Sequence, residues 1–253
     1  MLEQFETHGW VRVPAAFTAD EAAAMRDATW RALEAAGVSR DDPSTWTHER
    51  PDHLQRLKKD PVFAAVGSAR TIDAIDTVLQ RQPWNRPRDW GAFFVVFPTP
   101  GREWSVAHTG WHCDADYRSP LSPARGVKVH AMYSDVEPRG GGMNIVSGSH
   151  RLVHRWFAEH PAPASARSAR LRKSLLQHPH LRALCQLGDP SERISTFGDR
   201  VTMVDGVPVQ VIENTARAGD VILMHPLLLH APPVAHLGAQ PRFLLNKDLV
   251  VGS

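Results

Sequence analysis

The sequence predicts an α+β domain with a mainly β core, a small β-sandwich or barrel supported by N-terminal helices and interrupted by a helical insertion. The N-terminal third carries apolar residues at helical spacing. From Gly91 onward, short apolar or alternating runs are separated by glycine and proline turns, which is typical of strands. An arginine-rich helical stretch at residues 151–190 interrupts those runs. A length of 253 residues suits one domain, so we expect residues 1–253 to form a single unit.

Helical support is expected over about residues 15–80. Thr18 or Asp20 can cap a first helix whose apolar positions recur every three or four residues, and Gly37 would end it. A second helical pattern follows Pro61.

Strands are expected mainly in the rest of the chain. Residues 92–97 form a compact apolar run ended by Pro98, as in a buried strand. Residues 127–136 alternate, so that the odd-numbered residues face one way and the even-numbered ones, Lys128 and His130 among them, face the other. The other strands are expected at residues 10–14, 201–204, 207–212, 221–224 and 243–251.

The overall composition argues against two classes of partner. Lysine and arginine total 29 and aspartate and glutamate 27, so the formal net charge of +2 gives no general attraction to nucleic acid or to an anionic membrane. The first residues show no continuous apolar run of a secretory signal, and no stretch approaches the ~18 apolar residues of a membrane helix. Two cysteines cannot build a disulfide framework. We therefore expect a cytoplasmic protein that binds neither nucleic acid nor membrane; the sequence does not indicate its oligomeric state.

A histidine and an aspartate lie two residues apart in the segment Gly-Trp-His-Cys-Asp at 110–114. In a strand, side chains alternate, so His112 and Asp114 would point to the same face. Two histidines and one carboxylate on one side of an iron, with three positions open, form the facial triad of non-haem iron(II) oxygenases. The third ligand must come from elsewhere, and His230 is the natural candidate because it would close the strand that starts at the Gly219–Asp220 turn.

A His-x-Asp triplet alone is weak in a chain with 14 histidines, and three others compete. His108 lies four residues before His112, a helical spacing, but the prolines and glycine before it indicate a loop. By strand parity, His225 would face away from His230 unless Pro226 breaks the alternation. His150 ends a Gly-Ser-His turn, where a structural hydrogen bond is the better interpretation.

Arg242 adds weight to an oxygenase. It lies 12 residues after His230 and opens the apolar run Phe-Leu-Leu at 243–245. A guanidinium at the start of a barrel strand can hold a dicarboxylate through two parallel hydrogen bonds. The alternative is an ordinary surface arginine, and we favour the dicarboxylate site.

These segments together resemble the phytanoyl-CoA dioxygenase family of iron(II)/2-oxoglutarate oxygenases over roughly residues 5–250. The family usually has a proline where this chain has Ser147, a change that affects turn stiffness more than chemistry. The resembling segments are residues 9–11, 110–114, 135–150, 219–230 and 241–243.

The resemblance implies a double-stranded β-helix, a distorted jelly roll of the cupin type with helical support. It implies that iron(II) binds to His112, Asp114 and His230, and that the cosubstrate 2-oxoglutarate binds to Arg242, with Asn144 on a strand that approaches it. The implied reaction uses dioxygen to oxidise, by hydroxylation before other outcomes, a C–H bond of a small organic molecule, releasing succinate and carbon dioxide. Related halogenases have a small residue in place of the carboxylate, so Asp114 disfavours halogenation.

The substrate is only loosely indicated. Residues 151–190 fit a lid by position and length, and their arginines form either a solvated helical face or a cationic wall for an acidic or carrier-linked substrate. The aromatic residues near the metal segment could line a pocket or be plain core residues. The candidate contacts around that segment are Trp104, Trp111, Asp116, Tyr117 and Arg118.

Two other functions remain open at this point. A non-oxygenase metal-binding protein of the cupin type, an isomerase or a binding module, would share the fold but would not need Arg242. A nucleic-acid-modifying oxygenase would be expected to show a broad basic face with aromatic side chains, which one local cluster does not provide.

Overall fold

The protein has a mixed α/β architecture with two antiparallel sheets. Three of the candidate substrate residues, Asp116, Tyr117 and Arg118, and the centre of the predicted lid lie outside the described residues. The computed structural model describes residues 1–47, 51, 53–114, 119–159 and 177–252.

The first helices lie in the N-terminal third of the chain, and a second group of helices lies between residues 149 and 193. Within the described residues, the α-helices are α1 (Leu2–His8), α2 (Ala19–Glu34), α3 (Ala69–Val78), α4 (Ser149–Glu159), α5 (Pro179–Leu184) and α6 (Pro190–Arg193). Segments of 3-10 or π helix lie at Pro43–Thr45, His53–Lys59, Pro61–Gly67 and Ile194–Gly198. No helix within the described ranges has both the length and the apolar character that crossing a bilayer requires.

Seven of the described strands fall close to their predicted places, whereas the strand at residues 144–147 is implied only by the family resemblance and that at 230–231 is not predicted separately. They are β1 (Trp10–Val13), β2 (Ala92–Val96), β3 (Gly126–Met132), β4 (Asn144–Ser147), β5 (Thr202–Val204), β6 (Val207–Glu213), β7 (Val221–Met224), β8 (His230–Ala231) and β9 (Arg242–Val250). One sheet has the order β1-β7-β3-β9-β2, and the other has the order β5-β6-β4-β8.

The first long helix starts as its sequence predicts. The Thr18 hydroxyl accepts a hydrogen bond from the Glu21 N–H, and the Glu21 carboxylate accepts one from the Thr18 N–H, which satisfies two backbone donors at the end of the helix. α2 ends at Glu34, shortly before the predicted Gly37. The second predicted helix is divided into a 3-10 turn at Pro61–Gly67 and α3.

The alternation predicted for β3 gives its two faces different surroundings. The apolar odd-numbered side chains pack under the N-terminal helices in a large apolar cluster. On the other face, Lys128 lies opposite Asp248 of β9, and His130 lies opposite Asn246. Arg242 shares this face because alternate residues of a strand point the same way. One face of the five-stranded sheet thus collects four polar or charged strand positions and Arg242.

The chain between β7 and His230 differs from the predicted single strand. β7 ends at Met224, and the Leu228 N–H donates to the carbonyl of His225 (2.9 Å) in a turn. The break has a simple cause, because Pro226 has no N–H to donate to a sheet. His230 consequently begins β8 in the four-stranded sheet, and the strand-parity argument about His225 does not apply.

The described ends of the insertion are held to the body of the protein. Arg155 of α4 donates to the carbonyl of Asp205, and the His178 ring lies 3.1 Å from the Asp205 carboxylate. Just after the insertion, Arg193 at the end of α6 is buried and donates to the carbonyls of Val106 (3.3 Å) and Ala107 (2.8 Å). The helical character of these ends is confirmed, and a lid function remains a prediction.

Candidate metal centre

The fold brings His112, Asp114 and His230 together. One potential ligand atom from each lies within 4.8 Å of the others. No other group of three or more histidine, cysteine or acidic side chains in the described part of the chain meets this condition. Two histidines and a carboxylate in this arrangement match the donor set of a non-haem iron centre.

A backbone bridge holds the two histidines opposite each other. The His112 N–H donates to the His230 carbonyl (3.0 Å), and the His230 N–H donates to the His112 carbonyl (2.9 Å). Their ring centroids are 4.2 Å apart. Residues 110–114 form this one bridge in place of the predicted strand, and His112 and Asp114 nevertheless reach the same site.

Each of these rings is oriented by the carbonyl two residues before it. Nδ1 of His112 lies 2.7 Å from the Gly110 oxygen, and Nδ1 of His230 lies 3.0 Å from the Leu228 oxygen. A carbonyl can only accept, so Nδ1 donates in both rings. In the neutral form of each ring, Nε2 then keeps its lone pair, which is the form that binds a metal ion; a protonated Nε2 of His230 donates to Asp114 Oδ2 instead.

Gly110 has a backbone conformation that its position requires. Its φ is +79°, and a Cβ atom there would lie 2.8 Å from Cδ of Pro232. A larger residue would be strained and would displace the carbonyl that orients His112.

The carboxylate of Asp114 lies between His230 and Lys128. Its Oδ2 is 3.1 Å from His230 Nε2 and 2.9 Å from Lys128 Nζ. Its Oδ1 is 3.7 Å from His112 Nε2. Burial raises the pKa of this carboxyl, but the hydrogen bond and charge of His230, followed by those of Lys128, outweigh burial and hold the pKa well below 3.8. Asp114 is therefore ionised at neutral pH.

The donor set suits a divalent transition metal. Burial lowers the pKa of His112 below 6.5, and the charge of His230 lowers it further. A neutral imidazole is the ligand form, so His112 needs no deprotonation at neutral pH. The ionised Asp114 adds the one negative charge of a facial triad.

Arg242 is buried at the start of β9, as the apolar run after it predicts. Its side chain is 3% exposed, and its backbone pairs with Val96 of β2. Burial and then the charge of Arg242 lower the pKa of His236 to about 4. The guanidinium is thus an interior cation that influences neighbouring groups.

His130 is a polar residue of this region to which the sequence assigned no role. Its ring is fully buried, and neither ring nitrogen has a hydrogen-bond partner among the described residues. Burial lowers its pKa well below 6.5, and the charges of Lys128, His230 and Arg242 lower it further. A buried polar group without a partner costs about 1–3 kcal/mol, so this neutral ring is suited to a bound ligand that supplies one. The alternation of residues 127–136 was the sequence pattern that could have indicated a role for His130, because it places His130 on the polar face with Lys128.

The sequence matches one known protein family over most of its length. A family model described as phytanoyl-CoA dioxygenase (PhyH) matches residues 5–233. The chain belongs to the phytanoyl-CoA dioxygenase family. A search of curated proteins finds no match.

Solved structures share the fold of this family member at low identity. HygX from Streptomyces hygroscopicus with nickel and 2-oxoglutarate bound is 20% identical, with 99% of this chain and 87% of that chain covered and a TM-score of 0.54. AviO1 from Streptomyces viridochromogenes Tue57 is 16% identical, with 98% and 92% covered and a TM-score of 0.56. The non-heme alpha ketoglutarate dependent carbocyclase SnoK from nogalamycin biosynthesis is 16% identical, with 98% and 82% covered and a TM-score of 0.51. Identities this low show the fold alone.

In this member of the phytanoyl-CoA dioxygenase family, Asn144 and Trp111 both hold the segment before the metal ligands. Asn144 Oδ1 accepts from the Ala107 N–H (2.8 Å), and the Trp111 indole N–H donates to the Ala107 carbonyl (3.0 Å). Trp111 is buried in the apolar cluster beside the four-stranded sheet. Their roles towards cosubstrate and substrate remain predictions.

Trp104 lies in a more polar setting. The Arg139 guanidinium lies 5.5 Å from its ring centroid, a cation–π arrangement. The Arg139 backbone N–H donates to the Glu213 carboxylate (2.6 Å). Trp104 is only partly buried, and it is the one described candidate substrate residue with a cation over its ring.

The three competing histidines lie outside the triad. His108 lies in a stretch without helix or strand, as predicted. His150 donates from Nε2 to the Glu6 carbonyl (3.0 Å), which confirms the structural hydrogen bond. His225 packs beside His150, with ring centroids 5.1 Å apart, and its Nδ1 accepts from the Leu227 N–H (3.1 Å).

Proposed function

We propose that this protein is an iron(II)- and 2-oxoglutarate-dependent dioxygenase that hydroxylates a C–H bond of a small organic molecule and releases succinate and carbon dioxide. The observation that supports this most is the meeting of His112, Asp114 and His230 ligand atoms within 4.8 Å. We also propose that the two antiparallel sheets form a double-stranded β-helix and that residues 1–253 are one catalytic domain.

The proposed metal ligands leave room for the cosubstrates. When bound, the iron would supply the activation of dioxygen. The chain would supply three ligands on one side: the two Nε2 lone pairs oriented by backbone carbonyls, and the ionised carboxylate of Asp114. A carboxylate at this position favours hydroxylation over halogenation, which needs that position free for a halide.

The region around Arg242 suits the cosubstrate. A dicarboxylate taken out of water needs a cation for its distal carboxylate, and the buried Arg242 guanidinium offers a planar pair of donors. His130 offers a buried ring without a hydrogen-bond partner in the described structure. Asn144 uses its oxygen on the Ala107 N–H, so its amide NH₂ is the group it would offer to 2-oxoglutarate.

The substrate is proposed to be a small organic molecule with an acidic group or a carrier. Trp104 beneath Arg139 combines apolar surface with positive charge, and this combination suits such a molecule. Trp111, Asp116 and Tyr117 are further proposed contacts.

The test is oxygen-dependent turnover of 2-oxoglutarate. Metal-free protein would be loaded anaerobically with ferrous iron and 2-oxoglutarate and then exposed to oxygen, with succinate measured. The parent should form succinate, and Asp114→Ala and Arg242→Ala should not. Asp27→Ala removes an exposed aspartate of α2 that pairs with Arg40 and serves as the matched control with parental turnover.

A specific result would contradict the proposal. A ferrous protein that neither binds 2-oxoglutarate nor forms succinate would favour a metal-binding isomerase or binding protein of the cupin type. Equal turnover in the parent and Asp114→Ala would place the chemistry elsewhere.

A further inference from the structure

The ammonium of Lys128 has three oxygen partners around the candidate metal centre. Nζ lies 2.9 Å from Asp114 Oδ2, 3.0 Å from Asp248 Oδ1 and 3.0 Å from Asn246 Oδ1. Its side chain is 5% exposed. A lysine ammonium has three N–H donors, so each donor has one acceptor.

Two of these partners belong to the neighbouring strand. Asp248 lies directly opposite Lys128 in the β3–β9 register, and Asn246 is the next residue of β9 on the same face. These two contacts hold the ammonium against the five-stranded sheet independently of its contact with Asp114. A lysine side chain has many rotatable bonds, and the contacts with Asp248 and Asn246 on a regular strand remove much of that freedom.

The third donor reaches across to a different part of the fold. The Asp114 N–H donates to the carbonyl of Pro226 (3.2 Å), in the turn that leads from β7 to β8. The Asp114 carboxylate is thus contacted by an ammonium from the five-stranded sheet and by His230 of the four-stranded sheet. Without Lys128, nothing on β3 or β9 in the described contacts would fix its rotation.

We propose that Lys128 is a positioning residue that holds one oxygen of the Asp114 carboxylate, so that this carboxylate binds the metal through its other oxygen. The inference rests on the proposed function, because it concerns the same metal site. Binding through one oxygen keeps three positions of a six-coordinate ion for 2-oxoglutarate and dioxygen, whereas a carboxylate bound through both oxygens would fill one of them.

Positioning and charge make opposite predictions for metal affinity. The positive charge of Lys128 repels a divalent ion, so charge alone would make its removal tighten metal binding. A carboxylate that has lost its tether must be ordered by the metal itself, so positioning makes removal weaken binding. The sign of the change distinguishes the two.

The test is a cobalt(II) titration of the metal-free protein under argon, followed by visible absorption. Lys128→Met keeps the length and apolar stem of the side chain and removes the ammonium. We expect cobalt to bind about 10- to 100-fold more weakly, as is typical when an outer partner of a metal ligand is lost. The cobalt spectrum of this variant should also respond less to added 2-oxoglutarate, because a position needed by the cosubstrate is filled.

Lys247→Met is the matched control. Lys247 is the neighbour of Asn246 on β9, points to the opposite face and pairs with Asp89 at 3.3 Å. The same substitution there should leave the cobalt affinity unchanged.

Asn246→Ala separates position from charge. This variant keeps the ammonium and removes one of its two anchors on β9. We expect cobalt affinity to fall several-fold, less than in Lys128→Met, and Lys128→Arg to recover part of the loss through its own donors. Thermal unfolding of the metal-free variants shows whether they are folded, and Asn246→Ala tests the proposal should Lys128→Met fail to fold.

The outcomes are distinguishable from failure of the proposed function. A parent protein that does not bind cobalt through its histidines would sink the metal site and the Lys128 proposal with it. A parent that binds cobalt, beside Lys128→Met and Asn246→Ala with equal or tighter binding, would overturn the positioning role alone.

Discussion

Two pairs of histidines lie ring to ring in the described part of this protein, and their surroundings differ. The ring centroids of His112 and His230 are 4.2 Å apart, and those of His150 and His225 are 5.1 Å apart. The first pair turns both Nε2 atoms towards the carboxylate of Asp114. The second pair contacts backbone groups, and no described carboxylate joins it to form a three-ligand group. Close imidazoles alone do not make a metal site, because a third ligand and an available nitrogen are also needed.

Burial separates the two pairs as well. The His112 side chain is 44% exposed, whereas His150 and His225 are each 1% exposed. Burial lowers the pKa of His150 to about 4 and that of His225 to about 3, which keeps both rings neutral and part of the core. His230 is itself only 3% exposed, so the first pair is accessible to a metal ion from the side of His112, whereas the second pair is buried on both rings and contributes to stability.

The largest expected effect is that a substitution in the first pair weakens metal binding, whereas a substitution in the second pair lowers stability. His230→Ala should weaken cobalt binding by more than about 100-fold, because a direct metal ligand is lost. Loss of a residue that only hydrogen-bonds to a ligand typically costs about 10- to 100-fold. His150→Gln should leave cobalt affinity within about 2-fold while lowering the free energy of unfolding by about 1–3 kcal/mol, since a buried hydrogen bond and packing are lost. Titration and urea unfolding of each variant measure both quantities, and loss of metal binding in His150→Gln would contradict the division.

The next effect concerns the cosubstrate alone. Arg242→Ala should raise the Kd of the ferrous protein for 2-oxoglutarate by about 100-fold or more, since removing one partner of a buried charge pair costs about 3–5 kcal/mol. Cobalt affinity should stay at the parental value because Arg242 is not a ligand. Arg40→Ala, at an exposed arginine paired with Asp27, is the matched control. An unchanged Kd in Arg242→Ala would move the dicarboxylate site elsewhere.

The buried pair also predicts a pH dependence of stability. The pKa of His150 is lowered from 6.5 to about 4 by burial, so between these values the unfolded chain binds a proton that the folded protein does not. Stability is then fully present above about pH 6.5 and is lost as the pH falls towards 4. From pH 7 to pH 5 this histidine alone should reduce the free energy of unfolding of the metal-free protein by about 2 kcal/mol.

His150→Gln removes that titration. Urea unfolding at the two pH values should show a loss smaller by about 2 kcal/mol in the variant than in the parent. Identical losses would show that His150 does not remain neutral in the folded protein.

The smallest effect distinguishes two glycines, one beside each pair. Gly110 and Gly9 both have φ of +79°, and a Cβ at Gly9 would lie 2.5 Å from the His150 ring. Alanine at either position should cost about 1–2 kcal/mol of stability from backbone strain, and more at Gly9 because the added Cβ overlaps the buried His150 ring. Only Gly110→Ala should also weaken cobalt binding, several-fold, because the Gly110 carbonyl orients His112. Equal cobalt affinity in both variants would remove that orienting role.

The sequence predicted the strands of the five-stranded sheet well. The alternation over residues 127–136 placed Lys128 and His130 on the face away from the apolar valines, and the structure confirms this. Thr18, one of the two predicted capping residues, likewise caps the start of α2. Both are local patterns, and local patterns are what a single sequence shows most directly.

The element that holds His230 could not be read from local pattern. The run before it suggested one strand, and the chain instead turns at Pro226 and enters the other sheet. What Lys128 and His130 face also depends on the register of β9 and on the path of the loop that holds Asp114. Those contacts join distant parts of the chain. The sequence therefore identified the face on which Lys128 and His130 lie, but not the residues that they contact.

The metal and cosubstrate site can be tested in one anaerobic absorption experiment. Ferrous protein would be titrated with 2-oxoglutarate, and the visible charge-transfer band of a cosubstrate bound to the metal would be recorded for the parent, Asp114→Ala and Asp27→Ala. The band should appear in the parent and in Asp27→Ala and be absent in Asp114→Ala. A parent that binds ferrous iron and shows no band at saturating 2-oxoglutarate would contradict the assignment of His112, Asp114 and His230 as an oxygenase centre.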